Sequence, residues 1–141
     1  MRSEFSAGGV VFNDAGEVVV IVPTRRAADG GRVLALPKGH PEGDESAVDA
    51  ARREVREEAG VDSELVEKLG DVRYWYQRGG QRIAKIVSFF LLRYVSGAVE
   101  DHDDEVEDAR WMAAARAAEE LTYEGERDMV RRALPRLHPG Q

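Results

Sequence analysis

The sequence predicts an α+β domain, a mixed β-sheet covered by helices, and three observations lead there. Apolar, β-rich runs near the start are joined by a tight-turn tripeptide, Asp14-Ala15-Gly16. A central segment switches to helical spacing and stops at a glycine. Two further β-rich runs then flank Gly79-Gly80, and the rest of the chain turns helical towards Pro135.

Each element has its own reason. "FSAGGVVFN" (5–13) and "EVVVIV" (17–22) are rich in β-branched residues and form a hairpin across Asp14-Ala15-Gly16. "PTRRAADGGR" (23–32) reads as a loop, and "VLALP" (33–37) as a short strand stopped by its proline. From about Asp44 to Ala59 the residues Val48, Ala51, Val55 and Ala59 keep a helical repeat, which Gly60 terminates. "DVRYWYQ" and "RIAKIVSFFLLRYV" make an antiparallel hairpin about a two-residue Gly79-Gly80 turn. The second of these strands is apolar on both faces, which places it in the interior of the sheet. "EDARWM" (107–112) is a further short strand, and "AAARAAEEL" and "EGERDMVRRAL" are one or two closing helices.

With 141 residues, 43% hydrophobic and 33% charged, the chain suits one soluble globular domain spanning 1–141. No apolar run is long enough to span a bilayer, no secretion signal is visible, and cysteine is absent. A cytoplasmic home without membrane attachment is compatible with this. A net charge of −7 argues against a nucleic-acid surface. Either a monomer or a homodimer is compatible with the composition.

The charges are unevenly spread. "VEDHDDEVED" (99–108) carries seven acids, and Arg25, Arg26, Arg32 and Lys38 precede the central helix. Only Lys38, Lys68 and Lys85 among the 20 basic residues are lysines, so each lysine draws more notice than any single arginine.

The helix poses the sharpest question. Glu54, Glu57 and Glu58 fall at i, i+3 and i+4 and therefore crowd one side. A solvated, ion-paired helix face is the plain reading, since Arg53 and Glu57 are spaced i, i+4. Crowding argues otherwise, because two carboxylates about 5 Å apart repel by roughly 3 kcal/mol at an effective dielectric near 20. Three call for a counter-ion, and Mg²⁺, which favours carboxylate oxygen and bridges to phosphate, is suited to them.

The wider pattern is Gly39, five residues, Glu45, seven residues, then Arg53-Glu54-Val55-Arg56-Glu57-Glu58-Ala59-Gly60-Val61. It resembles the Nudix box at every defined position, and the order of strands around it resembles that family too. The resemblance implies a Nudix fold, a mixed sheet sandwiched between helices (α/β/α), and metal-dependent hydrolysis of a nucleoside diphosphate linked to another group. By the same resemblance Glu54, Glu57 and Glu58 hold Mg²⁺ or Mn²⁺ with the backbone carbonyl of Gly39, while Glu45 and Arg53 orient those ligands. The general base stays open among Glu54, Glu57 and Glu105. Gly39 is expected to permit the turn that aims its carbonyl inward.

Outside the box, "LPKGHPEGDE" resembles the diadenosine polyphosphate hydrolases, as do "EVEDARWM" and "LTYEGERDMVRRA", which also resemble nucleotide-sanitising relatives. No proline lies between 42 and 134, where the ADP-ribose branch usually has one past the box. The coenzyme A and NADH signatures are missing as well. Gly43-Asp44-Glu45 replaces the usual Pro-Gly-Glu, which alters the turn and leaves the ligands intact. The expected substrate is thus a diadenosine polyphosphate, the tetraphosphate giving ATP and AMP. Other nucleoside triphosphates, including oxidised ones, and inositol polyphosphates are the alternative, and a catalytically silent nucleotide sensor is a third reading.

The second hairpin supplies substrate contacts independently of the family. A Gly79-Gly80 turn pairs Tyr76 with Ile83 and Tyr74 with Lys85, so Tyr74, Tyr76 and Lys85 share a face. Rings can stack on a base and a lysine can hold phosphate. The plain alternative is half-buried tyrosines and a lysine reaching to solvent. Lys38 and His40, which flank Gly39, and Tyr123 in "LTYEGE" complete the candidate binding set. Trp111 is assigned to the core, and the acids of 100–108 to a solvated loop with Glu105 as the functional exception.

Overall fold

Hydrophobic alternation in the first strands already sets out two layers. The computed structural model describes residues 2–137. Strand β1 (Arg2–Phe12) turns at Asn13–Gly16 into β2 (Glu17–Pro23), and Asn13 Oδ1 accepts the amides of Ala15 and Glu17 at 3.0 Å to fix the turn. Val10, Val18 and Val20 face one core, whereas Val11, Val19 and Ile21 face the other. Burying each such valine contributes roughly 1.5–3 kcal/mol.

The remaining elements are β3 (Lys38–Gly39), helix α1 (Ala47–Ala59), β4 (Val61–Arg78), β5 (Gln81–Gly97), β6 (Val106–Ala113), α2 (Ala114–Glu120) and α3 (Glu124–Ala133). Along the sheet the order is β4-β5-β1-β2-β6, with β3 pairing β1. Among the described strands β1 and β5 alone run parallel, so the sheet is mixed. Helix α1 covers one face through Ala50, Ala51, Val55 and Ala59; α2 and α3 cover the other through Ala117, Leu121, Met129 and Val130. The α/β/α sandwich expected from the sequence is the one observed. No described helix is long and apolar enough to cross a membrane.

Three local expectations need correction. The helix begins at Ala47, not near Asp44, because Ser46 caps it and accepts the Asp49 amide at 3.1 Å. Strand β4 starts at Val61, directly after the Gly60 cap, and not at Asp71 where the expected strand opens. Register shifts at Asp62/Ser63, Leu65/Glu67 and Lys68/Gly70 hide the period of its first half. "VLALP" forms no strand: a single bridge joins Ile21 to Ala35, with N–H···O distances of 2.8 and 2.9 Å. Side chains take the neighbouring amides instead, Leu34 N–H going to Thr122 Oγ1 and Leu36 N–H to Glu126 Oε1, each at 2.8 Å.

The second hairpin follows the expected register. Arg78 pairs with Gln81, Tyr76 with Ile83 and Tyr74 with Lys85. Gly79 and Gly80 have φ of 59° and 79°, the positive pair that a two-residue turn of this hand requires.

Candidate active site

Arg53 of helix α1 draws Glu45, Glu54 and Glu57 around one cation. The Arg53 guanidinium donates from Nε and Nη2 to both oxygens of Glu45, at 2.9 and 3.0 Å. Its Nη1 reaches Glu54 Oε2 at 3.2 Å and Glu57 Oε1 at 3.1 Å, and Nη2 also donates to the His40 carbonyl at 2.9 Å. Bidentate pairing with Glu45 holds that carboxyl below the usual carboxylate range, and the Glu45 hydrogen bonds hold the guanidinium firmly charged.

Glu54 and Glu58 behave differently. Burial pushes Glu54 up to about 6, with Arg53 opposing and Glu57 and Glu105 adding like charge. Burial pushes Glu58 further, to about 7, against the Lys38 amide that donates to its Oε1 at 3.0 Å. Asp103 adds to the negative field at Glu58, and its own amide is anchored on the Glu57 carbonyl at 2.8 Å. The loop at 103–105 therefore folds back on the glutamates. Glu105 adds like charge at Glu54, and Asp103 does the same at Glu58. Asp103 was not distinguishable in a run of seven acids.

Gly39 has a steric role. It is not among the glycines with positive φ, so turn formation does not explain it. A Cβ there would sit 2.1 Å from Glu54 Oε2, so any side chain at this position would push the Glu54 carboxylate out of its place. Among the described residues no three His, Asp or Glu side chains converge as a ready-made metal site. The glutamates are instead divided between Arg53 and the Lys38 amide. The donor set nevertheless suits a hard divalent cation: Glu54 and Glu58 are desolvated carboxylates that repel each other, and the backbone of Gly39 lies against one of them.

Two cavities open beside this cluster. One, of about 270 Å³, is lined by Glu58, Gly39, His40, Lys85 and Ser6. The other, of about 640 Å³, lies between β4 and α3 and is lined by Tyr74, Val72, Phe89, Tyr123 and Glu126. Arg25, Lys38 and Tyr74 border both. Arg25, from the loop at 23–32, is a further basic residue at this junction.

The expected binding residues divide accordingly. Tyr74 and Tyr123 present half-exposed rings to the larger cavity. Lys85 opens onto the smaller one with Glu58, its Nζ 3.8 Å from Glu4 Oε1, so it faces the glutamate side. Tyr76 borders neither cavity: its hydroxyl is bound to Glu4, and the Arg78 guanidinium lies over its ring. Sharing a face with Tyr74 did not bring it to the same site. His40 lines the smaller cavity with its Nδ1 held 3.0 Å from the Phe5 carbonyl. Lys38 Nζ is paired with Glu126 at 2.8 Å and sits 5.9 Å from the centre of the Tyr123 ring. Trp111 is partly buried, edge-on to Tyr94 and packed against the core under α1.

An α/β/α sandwich carrying this loop and helix defines a class, and the NUDIX domain family matches residues 3–133. The chain belongs to the Nudix family. It is 35% identical over 131 residues to a Mycobacterium tuberculosis protein designated MutT4, covering 90% of this chain and 53% of that one. It is 30% identical over 141 residues to the 8-oxo-(d)GTP phosphatase of Mycolicibacterium smegmatis, covering 93% of this chain and 41% of that one. The chain thus spans about half the length of these relatives, or less. Among solved structures, a Nudix hydrolase from Nitrosomonas europaea superposes with a TM-score of 0.75 over 97% of this chain and 92% of that one, at 18% identity.

Proposed function

We propose that this chain is a metal-dependent pyrophosphohydrolase of nucleoside polyphosphates. The observation that carries the proposal is the meeting of two cavities at Arg25, Lys38 and Tyr74, one walled by aromatic rings and the other reaching Glu58 and Gly39. A base between Tyr74 and Tyr123 would leave its phosphates running past Arg25 and Lys85 to the carboxylates.

Glu54, Glu57 and Glu58, with the Gly39 carbonyl, are the residues that would hold Mg²⁺ or Mn²⁺. When bound, such an ion neutralises phosphate oxygens and acidifies water. Arg53 fixes the spacing of Glu45, Glu54 and Glu57. A carboxylate of the Glu54, Glu57 and Glu105 group accepts the proton of the attacking water. Lys85 supplies a fixed positive charge beside the phosphates, held in place by Glu4.

An oxidised purine nucleoside triphosphate is the substrate we favour, because a relative at 30% identity over 93% of this chain carries the name 8-oxo-(d)GTP phosphatase. Pro37-Lys38-Gly39-His40 supports a second reading, the diadenosine polyphosphates. A panel of 8-oxo-dGTP, dGTP, diadenosine tetraphosphate and ADP-ribose, with products resolved by chromatography, separates the two. Preferential loss of 8-oxo-dGTP supports the first, and release of ATP with AMP from the dinucleotide supports the second. Binding without hydrolysis of any of them would overturn the proposal in favour of a nucleotide sensor.

A further inference from the structure

Glu126 is the one charged side chain among the described residues that is buried, at 4% exposure. Burying a carboxylate costs several kcal/mol unless its oxygens are paired, so its partners matter. It stands in the first turn of α3, where the helix dipole favours an anion, yet it turns inward. Its Oε1 accepts the Leu36 amide at 2.8 Å, and its Oε2 accepts from Lys38 Nζ at 2.8 Å.

The segment it grips leads straight to the glutamates of α1. The Pro37 carbonyl accepts the Gly9 amide at 3.1 Å, the Lys38 amide donates to Glu58 Oε1 at 3.0 Å, and Gly39 abuts the Glu54 carboxyl. Helix α3 lies on the opposite face of the sheet from α1. Residues 36–39 are therefore fastened from both layers, by Glu126 on one side and by Glu58 on the other.

We infer that Glu126 is a positioning residue for the hydrolytic site: by fixing Leu36 and Lys38 it sets the Lys38 amide against Glu58 and Gly39 against Glu54, and so governs how tightly a divalent cation is held. The inference rests on the proposed function for the identity of that cation. A merely structural ion pair would hold α3 on the sheet and leave the carboxylates of α1 unaffected.

Titrating Mn²⁺ into the protein by calorimetry, without substrate, tests the inference apart from turnover. Removing an outer partner of a metal ligand typically weakens metal binding about 10–100-fold, and Glu126→Ala should lie in that range. Glu126→Gln keeps an acceptor for the Leu36 amide and loses only the negative charge that faces Lys38, so its loss should be smaller, about 2–5-fold. It also carries the test should the alanine variant not fold. Met129→Ala, which hollows the core cluster that Met129 shares with Leu36 but removes no hydrogen bond to residues 36–39, is the control and should leave Mn²⁺ affinity unchanged while lowering Tm. Wild-type affinity in Glu126→Gln and Glu126→Ala, or an equal loss in Met129→Ala, would overturn the inference. A wild type that takes up no Mn²⁺ and hydrolyses nothing would instead overturn the proposed function, and this inference with it.

Discussion

Arg53 and Lys38 both serve the loop that opens at Gly39, but they are held in opposite ways. Arg53 is shared among Glu45, Glu54 and Glu57, all within eight residues of it, and its side chain keeps 21% of its exposure. Lys38 answers to Glu126, 88 residues away, in a pair exposed by only 17% and 5%. The first arrangement is a local charge pattern that organises ligands at the surface of a helix. The second is a long-range tie across the sheet, where low dielectric makes each partner costly to lose.

The difference can be sharpened by breaking the local arrangement first. Arg53→Ala should lower turnover about 100-fold, since it frees three carboxylates that must stay in register, while Tm moves by only a few degrees. Steady-state rates beside thermal melts would show it. A large fall in Tm with turnover intact would mean that Arg53 serves the fold and not the site.

A smaller effect concerns pH. The folded-state pKa values of Glu54 and Glu58 stand at about 6 and about 7, above the ordinary value of 4.5. Between those values the folded protein binds more protons than the unfolded chain, so these two groups remove stability as pH rises from about 4.5 to 7. Glu4, held at about 2 by Tyr76 and Arg78, works in the other sense and loses its contribution only in strong acid. Glu58→Gln should therefore flatten the decline between pH 5 and 7, gaining on the order of 1–2 kcal/mol at pH 7 over the chelated wild type. Denaturant melts at several pH values measure this, and parallel curves for the two proteins would contradict the burial of Glu58.

Lys85 is expected to give the smallest change. Lys85→Ala should raise KM several-fold with little change in Tm, because it removes a phosphate contact and little core. Tm falling as KM stays level would reduce Lys85 to a partner of Glu4.

Much of this was legible in the sequence, for reasons the comparison makes plain. Helix α1, its Gly60 cap and the order of the box are local patterns, and so is the Gly79-Gly80 turn that fixed the pairing of Tyr74 with Lys85. The tie from Glu126 to Lys38 left no such trace, since nothing in "LTYEGERDMV" distinguishes a glutamate turned inward from one in solvent. Tyr76 stands outside both cavities for a similar reason: Glu4 comes from β1, 72 residues earlier, and takes its hydroxyl. The first half of β4 was missed because its register shifts break the alternation. Gly39 does not make the left-handed turn expected of it; what singles it out is the Glu54 carboxyl lying where a Cβ would be.

The central claim is that the carboxylates of α1 act through a divalent cation on a polyphosphate. It is tested most directly by turnover on the best substrate of the panel, with Mg²⁺ titrated into the chelated protein, for the wild type and for Glu57→Gln. The wild type should be inactive until the ion is added, and Glu57→Gln should remain about 100-fold or more below it at saturating Mg²⁺ with an unchanged far-UV spectrum. Full turnover in excess chelator, or a Glu57→Gln variant as fast as the wild type, would contradict the assignment.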